Sequence, residues 1–259
     1  MTDKDAPTQI RYACVDERAT ITIDNPEKRN PLSSEAARAL VEALRRADTD
    51  PNVRVIVITG AGDTFSAGAD LQEFRVMLTA SAVDIWDNGD VWSELYALIP
   101  KLSKPVIARI DGPAMAGACG LVCCCDLAIA SVRSTFAVPE IRIGLFALFI
   151  LPVLIERIGR THARDLAYTG RVIEANEALR MGIINRIAVE GALDSAVDEA
   201  VAQLAKAKPG TMQRSRQAFR AIARTDYDTG IELARGLRAS FLSSDELKAG
   251  VANFFKPKD

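Results

Sequence analysis

Two stretches of this chain share one layout, and that layout limits the folds open to them. Residues 53–60 (VRVIVITG) and 104–112 (KPVIARIDG) are short apolar runs closed by glycine, and each leads into a loop of small residues followed by a helical pattern. A short apolar run without polar alternation, closed by glycine, is the pattern of a buried strand. Around this pair, residues 9–24 alternate loosely and are rich in β-branched types, as in a hairpin. The segment NPEKRNPLS reads as a turn, and Ser33, Ser34 and Glu35 cap a helix through EAARALVEALRRAD. Residues 76–99 read as irregular helix, LAIAS and STFAV as short strands, and PEIRIG as a turn. From Leu154 onward the pattern is almost all helix, interrupted at GR, TGR, MGI and KPG. Strands alternating with helices, then helices alone, predict an α/β fold with a helical C-terminal part.

Composition removes several function classes. Lys+Arg total 32 against Asp+Glu 34, a net charge of −2 that lacks the basic excess of a dedicated nucleic-acid binder. The single histidine, His162, excludes a metal site built on imidazoles and leaves one imidazole for any nucleophile–base pair; it is expected on the surface. Five cysteines (Cys14, Cys119 and Cys123 to Cys125) show no CxxC spacing, which points to a reducing compartment and to thiols packed as small apolar residues. The opening MTDKDAPTQ has acids where a signal peptide is basic and then apolar, and no apolar stretch reaches the ~18 residues of a bilayer span. A soluble, cytoplasmic protein without membrane or nucleic-acid partners is expected.

The small-residue loops are the candidates for chemistry. A dinucleotide fingerprint after VRVIVITGAG would need a third glycine at position 65, where the chain has Phe65. FSAGAD at 65–70 and DGPAMAGAC at 111–119 are more informative together. Small residues let a ligand approach the backbone, and amides at a helix N-terminus carry partial positive charge outward. Two such loops from neighbouring strands can aim two N–H groups at one oxygen, the geometry of an oxyanion hole. Tight strand–helix packing asks for the same residues, and either loop alone leaves both readings open.

The motifs, taken in order, resemble the enoyl-CoA hydratase/isomerase (crotonase) superfamily. They are FSAGAD at 65–70, KPVIARIDGPAMAGACG at 104–120, CD at 125–126, PE at 139–140 and GRTHARDLAYTGRVIEANEALRMGIIN at 159–185. The resemblance spans nearly the whole chain. It implies a crotonase-like spiral of ββα units over 1–194, a helical oligomerisation region over 195–259, assembly as a homotrimer or hexamer, and a coenzyme A thioester as substrate with no separate cofactor or metal. It also implies that Ala69 and Gly117 give the two oxyanion-hole amides, with Ala116 and Ala118 a mild replacement for flanking glycines. On the same mapping, Lys28, Arg29, Ala67, Asp70 and Leu71 cradle the coenzyme.

Two departures set the expected chemistry. Hydratases of the family use two glutamates; here the first position is Gly120 and only the second, Glu140, is kept. Two carboxylates naturally arrange both a water and a proton donor, whereas moving a double bond needs one carboxylate that takes a proton from C2 and returns it at C4. Glu140 among Phe136, Val138, Ile141 and Ile143 is expected to have a raised pKa suited to that shuttle. The glycine-rich stretch that family hydratases carry next is FALFIL here, and Phe146 and Phe149, with Trp86 and Trp92, are expected to line the acyl pocket. The alternative is a hydratase, or another crotonase activity such as decarboxylation or C–C cleavage, with a second acid from residues 84–94 (Asp84, Asp87, Asp90 or Glu94). A non-catalytic RNA-binding or scaffold relative is the third reading. Arg214, Arg216, Arg220 and Arg224 are expected on a solvated or subunit-facing helix surface.

Overall fold

A computed structural model describes residues 6–256. The hairpin forms as read: β1 (Gln9–Val15) pairs antiparallel with β2 (Arg18–Asp24), and Asp16 and Glu17 between them both take positive φ. Such a turn follows the right-handed twist of the strands it joins. β2 then pairs parallel with β4 (Val55–Gly60), which is followed across the sheet by β6 (Val106–Ile110), β8 (Leu127–Ser131) and β11 (Arg186–Ala188), each parallel to its neighbour. All six residues of β4 are buried, as its unbroken apolar run requires.

A short strand follows each of three sheet strands. β4 leads to β5 (Gly68–Ala69), which pairs with β3 (Pro31–Leu32); β6 leads to β7 (Ala114–Met115); β8 leads to β9 (Thr135–Ala137), which lies between β7 and β10 (Val172–Glu174). The chain then enters helices: α2 (Leu71–Met77) and α3 (Ala82–Leu98) after β5, α4 (Gly117–Cys124) after β7, and α5 (Leu151–Thr169) after β9. This is the α/β spiral of strand–strand–helix turns expected from the motifs. The first helix of the chain, α1 (Ser34–Thr49), is capped by Ser33 and buries Ala36, Ala37, Leu40, Val41, Leu44 and Ala47 along one stripe.

The main core fills the space between one sheet face and α1, α3, α4 and α5. After α6 (Ala175–Met181) and β11, helix α7 (Leu193–Ala205) covers the other face, where Val197 and Ala200 pack on Val55, Val57, Ile107 and Ile129. The boundary expected at 194/195 therefore falls inside a helix that belongs to the sheet. The helices beyond it are α8 (Pro209–Ile222), α9 (Tyr227–Leu242) and α10 (Asp245–Phe254).

One expectation about these helices is corrected. Arg216 is buried, donating from Nε to Leu102 O (2.9 Å) and from Nη2 to Ile99 O (3.0 Å), and it pairs through Nη1 with Asp126. An arginine in a helical row of four reads as surface, but α8 crosses the carbonyl-rich end of α3, which has acceptors to satisfy. His162 is exposed on α5, and Cys119 and Cys123 to Cys125 are buried free thiols. Among the described residues, no helix is long and apolar enough to cross a membrane.

Candidate active site

The two small-residue loops meet. β4 ends at Gly60, where a Cβ would lie 2.1 Å from Phe65 O, so the chain turns tightly and Phe65 drops fully into the core. Gly68 (φ +90°) presses on the second loop: a Cβ there would lie 2.7 Å from the Cβ of Ala116 and 3.4 Å from Gly117 N. In the parallel pairing of β3 and β5, Asp70 N donates to Leu32 O (2.8 Å), which turns the N–H of Ala69 away from β3. Gly117 opens α4, and the first amides of a helix have no partner within it. Ala69 and Gly117 both line a cavity of about 440 Å3.

Ala116 enters that helix at φ 52°, ψ −129°, a backbone region that glycine adopts freely and alanine does not. The replacement expected to be mild thus carries strain at the cavity wall.

Glu140 lies in a short 3-10 turn (Pro139–Ile143) on the cavity wall. Its Oε2 is buried without a hydrogen-bond partner. Burial pushes its carboxyl above the usual carboxylate range, opposed in part by the bond from its own backbone amide. Arg142, which the sequence did not single out, lines the same cavity.

Position 120 is closed to a side chain. A Cβ on Gly120 would lie 2.3 Å from Ile150 Cγ2 and 2.6 Å from Ile150 Cβ. Ile150 itself is buried and lines the cavity with Leu145, Phe146, Leu148 and Phe149. The FALFIL segment therefore fills the space that a larger residue at 120 would enter.

Other expected positions divide. Trp92, Phe146 and Phe149 line the cavity, but Trp86 does not; it is 77% exposed, on a different face of α3 from the buried Val91, Trp92, Leu95 and Tyr96. None of the acids of 84–94 lines the cavity. Asp84 closes a capping box with Ser81, Glu94 pairs with Arg45, and Asp87 and Asp90 face solvent. Lys28 and Arg29 are exposed on a turn whose Arg29 carbonyl accepts from Ala67 N (2.8 Å), which fixes the turn beside the cavity. The turn is held by Asn30, which donates to the carbonyls of Ala61 (2.8 Å) and Thr64 (2.7 Å). Ala67 and Leu71 line the cavity, and Asp70 caps α2 by accepting from Gln72 N (2.9 Å).

Sequence reasoning missed Asn88 and Tyr96, which also line the cavity. Asn88 donates to Ser34 Oγ, which in turn donates to Glu73, while the Tyr96 hydroxyl donates to Gly117 O (3.1 Å). Their signal was the buried stripe of α3 carried back by one turn, from 95 and 96 through 91 and 92 to 88.

The family model described as enoyl-CoA hydratase/isomerase matches residues 16–259. The chain belongs to the enoyl-CoA hydratase/isomerase family. A Thermus thermophilus family member that carries the name enoyl-CoA hydratase is 34% identical over 93% of this chain and 95% of its own. The crystal structure of an enoyl-CoA hydratase from Mycobacterium smegmatis superimposes with a TM-score of 0.90 at 28% identity, covering 98% of this chain and 99% of that one. The human enoyl Coenzyme A hydratase domain-containing protein 3 gives 0.89 at 27% identity, covering 96% and 99%. Enoyl-CoA hydratase/isomerase membership thus rests on sequence and fold together.

Proposed function

We propose that this chain binds an acyl-CoA thioester and shifts a double bond in the acyl group through Glu140 alone. The observation that carries the reading is Ile150, which fills the space beside Gly120 and leaves Glu140 as the carboxylate facing the cavity. In this reading the N–H groups of Ala69 and Gly117 hold the thioester oxygen, as preorganised donors aimed at developing charge. The Glu140 carboxylate removes a proton from C2 of a 3-enoyl thioester, and the C–H electron pair moves into the carbonyl to give a dienolate. The same carboxyl group returns the proton to C4 as the oxygen's charge collapses, leaving the double bond between C2 and C3. Burial that raises the basicity of Glu140 suits this two-way transfer.

The coenzyme enters as part of the substrate, with Lys28 and Arg29 near its phosphates and Ala67, Asp70 and Leu71 along its path. Trp92, Phe146 and Phe149 bound the acyl chain. The exposed apolar residues of the last helices, Phe219, Ile231 and Phe254 among them, support assembly through this region, which this reading takes to be a trimer or a dimer of trimers. The hydratase names of the relatives favour a second reading, hydration of a 2-enoyl thioester. Incubating the purified protein with 3-enoyl-CoA and, separately, 2-enoyl-CoA decides between them. Faster conversion of 3-enoyl-CoA is expected; dominant hydration of 2-enoyl-CoA would overturn the isomerase reading.

A further inference from the structure

We infer that Tyr96 is a positioning residue that holds α4, and with it the Gly117 amide, in place at the cavity that Glu140 also lines. This rests on the role proposed above for Gly117. Tyr96 touches both ends of the helix. Its hydroxyl donates to the carbonyl of the first residue, Gly117 (3.1 Å), and its own carbonyl accepts from the thiol of the last, Cys124 (3.6 Å).

The clamp acts where the backbone most needs it. α4 is eight residues long, too short to be stable by itself, and it is entered through the strained Ala116. The fit at its start is close enough to exclude a side chain, since a Cβ on Gly117 would lie 2.7 Å from the Tyr96 hydroxyl. The ring edge covers the wall beside Gly120, with Cε1 3.5 Å from the position of a Cβ there. The phenol is buried, and burial, together with the nearby Cys124 and Glu140, pushes its pKa far up. It therefore stays protonated and donates, and it is no base.

A phenylalanine at 96 keeps the ring and loses only the hydrogen bond. Tyr96→Phe is expected to slow exchange of the C2 proton of a saturating acyl-CoA in deuterium oxide about tenfold, equivalent to about 1.4 kcal/mol of barrier. KM should stay within about twofold and the acid limb of the pH profile should stay at the wild-type position, because Glu140 is untouched. Wild-type exchange rates in Tyr96→Phe, or a loss confined to KM, would overturn the positioning role. A displaced limb would make the phenol an acid–base group instead. If the wild type itself exchanges no C2 proton, the proposed function fails and this inference fails with it.

Discussion

Restoring a glutamate at position 120 tests the one-carboxylate reading, and the structure says that it cannot be done by one substitution. A Cβ at 120 would lie 2.3 Å from Ile150 Cγ2, against the roughly 3.5–4.0 Å of ordinary carbon contacts. Gly120→Glu alone is therefore expected to lose about 1–3 kcal/mol from overpacking. Ile150→Ala does not clear the site, because Ile150 Cβ itself would still be 2.6 Å away. Ile150→Gly does clear it, and by itself costs roughly 2–5 kcal/mol for the side chain lost from the core. In Gly120→Glu/Ile150→Gly each change repairs part of the other's damage, so the two should couple by about 0.5–3 kcal/mol in urea unfolding.

The catalytic readout is loss of the conjugated thioester absorbance of 2-enoyl-CoA. A second carboxylate facing Glu140 supplies the missing anchor for water, and general acid–base groups contribute about 10²–10⁴-fold, so even a poorly seated one should raise hydration at least tenfold over the parent. Two results refute the reasoning: a parent that already hydrates 2-enoyl-CoA as fast as the double variant, or a Gly120→Glu protein as stable as the parent. The first removes the chemical role of the missing acid, and the second removes the steric role of Ile150.

Three further outcomes follow from single sites. Glu140→Gln should lower double-bond migration at least about 100-fold and yet melt higher than the parent at pH 8. A folded-state pKa raised by burial means that stability from this group is full below its unfolded value and is lost as pH rises through the folded one, so the advantage in melting temperature should shrink toward pH 4; an advantage independent of pH would contradict the burial cause. Ala116→Gly should raise the urea midpoint, since relief of about 1–3 kcal/mol of strain exceeds the roughly 0.4–1 kcal/mol of extra unfolded-chain entropy; a lower midpoint would show the alanine to be unstrained. Arg216→Ala should cost about 2–4 kcal/mol, at or just below the usual range for a broken buried pair because Asp126 is partly exposed, while Lys248→Ala on the solvent side costs under about 0.5 kcal/mol. Equal losses at the two sites would remove the case for Arg216 as the tie between α8 and the core.

What could be read from the sequence was what neighbouring residues decide. The β1–β2 hairpin, the Ser33 cap of α1, the buried strands β4 and β6 and the glycine-led loops after them depend on alternation, caps and turn chemistry within a few positions. Motif order then assembled them into one fold. The misses are contacts between distant segments. Ile150 meets Gly120 thirty positions away, and no local pattern announces that pairing. Arg216 shares its helix with the half-buried Arg214 and Arg220, and only the approach of α8 to the end of α3 buries it fully. Trp86 and Trp92 have the same composition signal, but six positions along a helix turn the side chain by about 240°, which carries Trp86 off the buried face. Tyr96 stood on the stripe that the same geometry selects.

The places where the fold is least comfortable bear on where its chemistry lies. Among the described residues, three buried side-chain polar atoms lack a partner: Tyr12 Oη, Arg214 Nε and Glu140 Oε2. Two of these belong to side chains held by other contacts. The Tyr12 ring stacks under the Arg46 guanidinium at 4.1 Å, and Arg214 still donates from Nη2 to Glu246 (2.9 Å). Glu140 keeps one bond, from its own backbone amide, and the residue lines the same cavity as the strained Ala116 and the helix-opening Gly117. At Asn30 and Arg216, by contrast, the buried polar groups are paired. The strained Ala116, the unbonded first amide of α4 and the buried carboxyl of Glu140 gather around one cavity, and they suit what enters it: an oxygen for the amide to hold and a proton for the carboxylate to take.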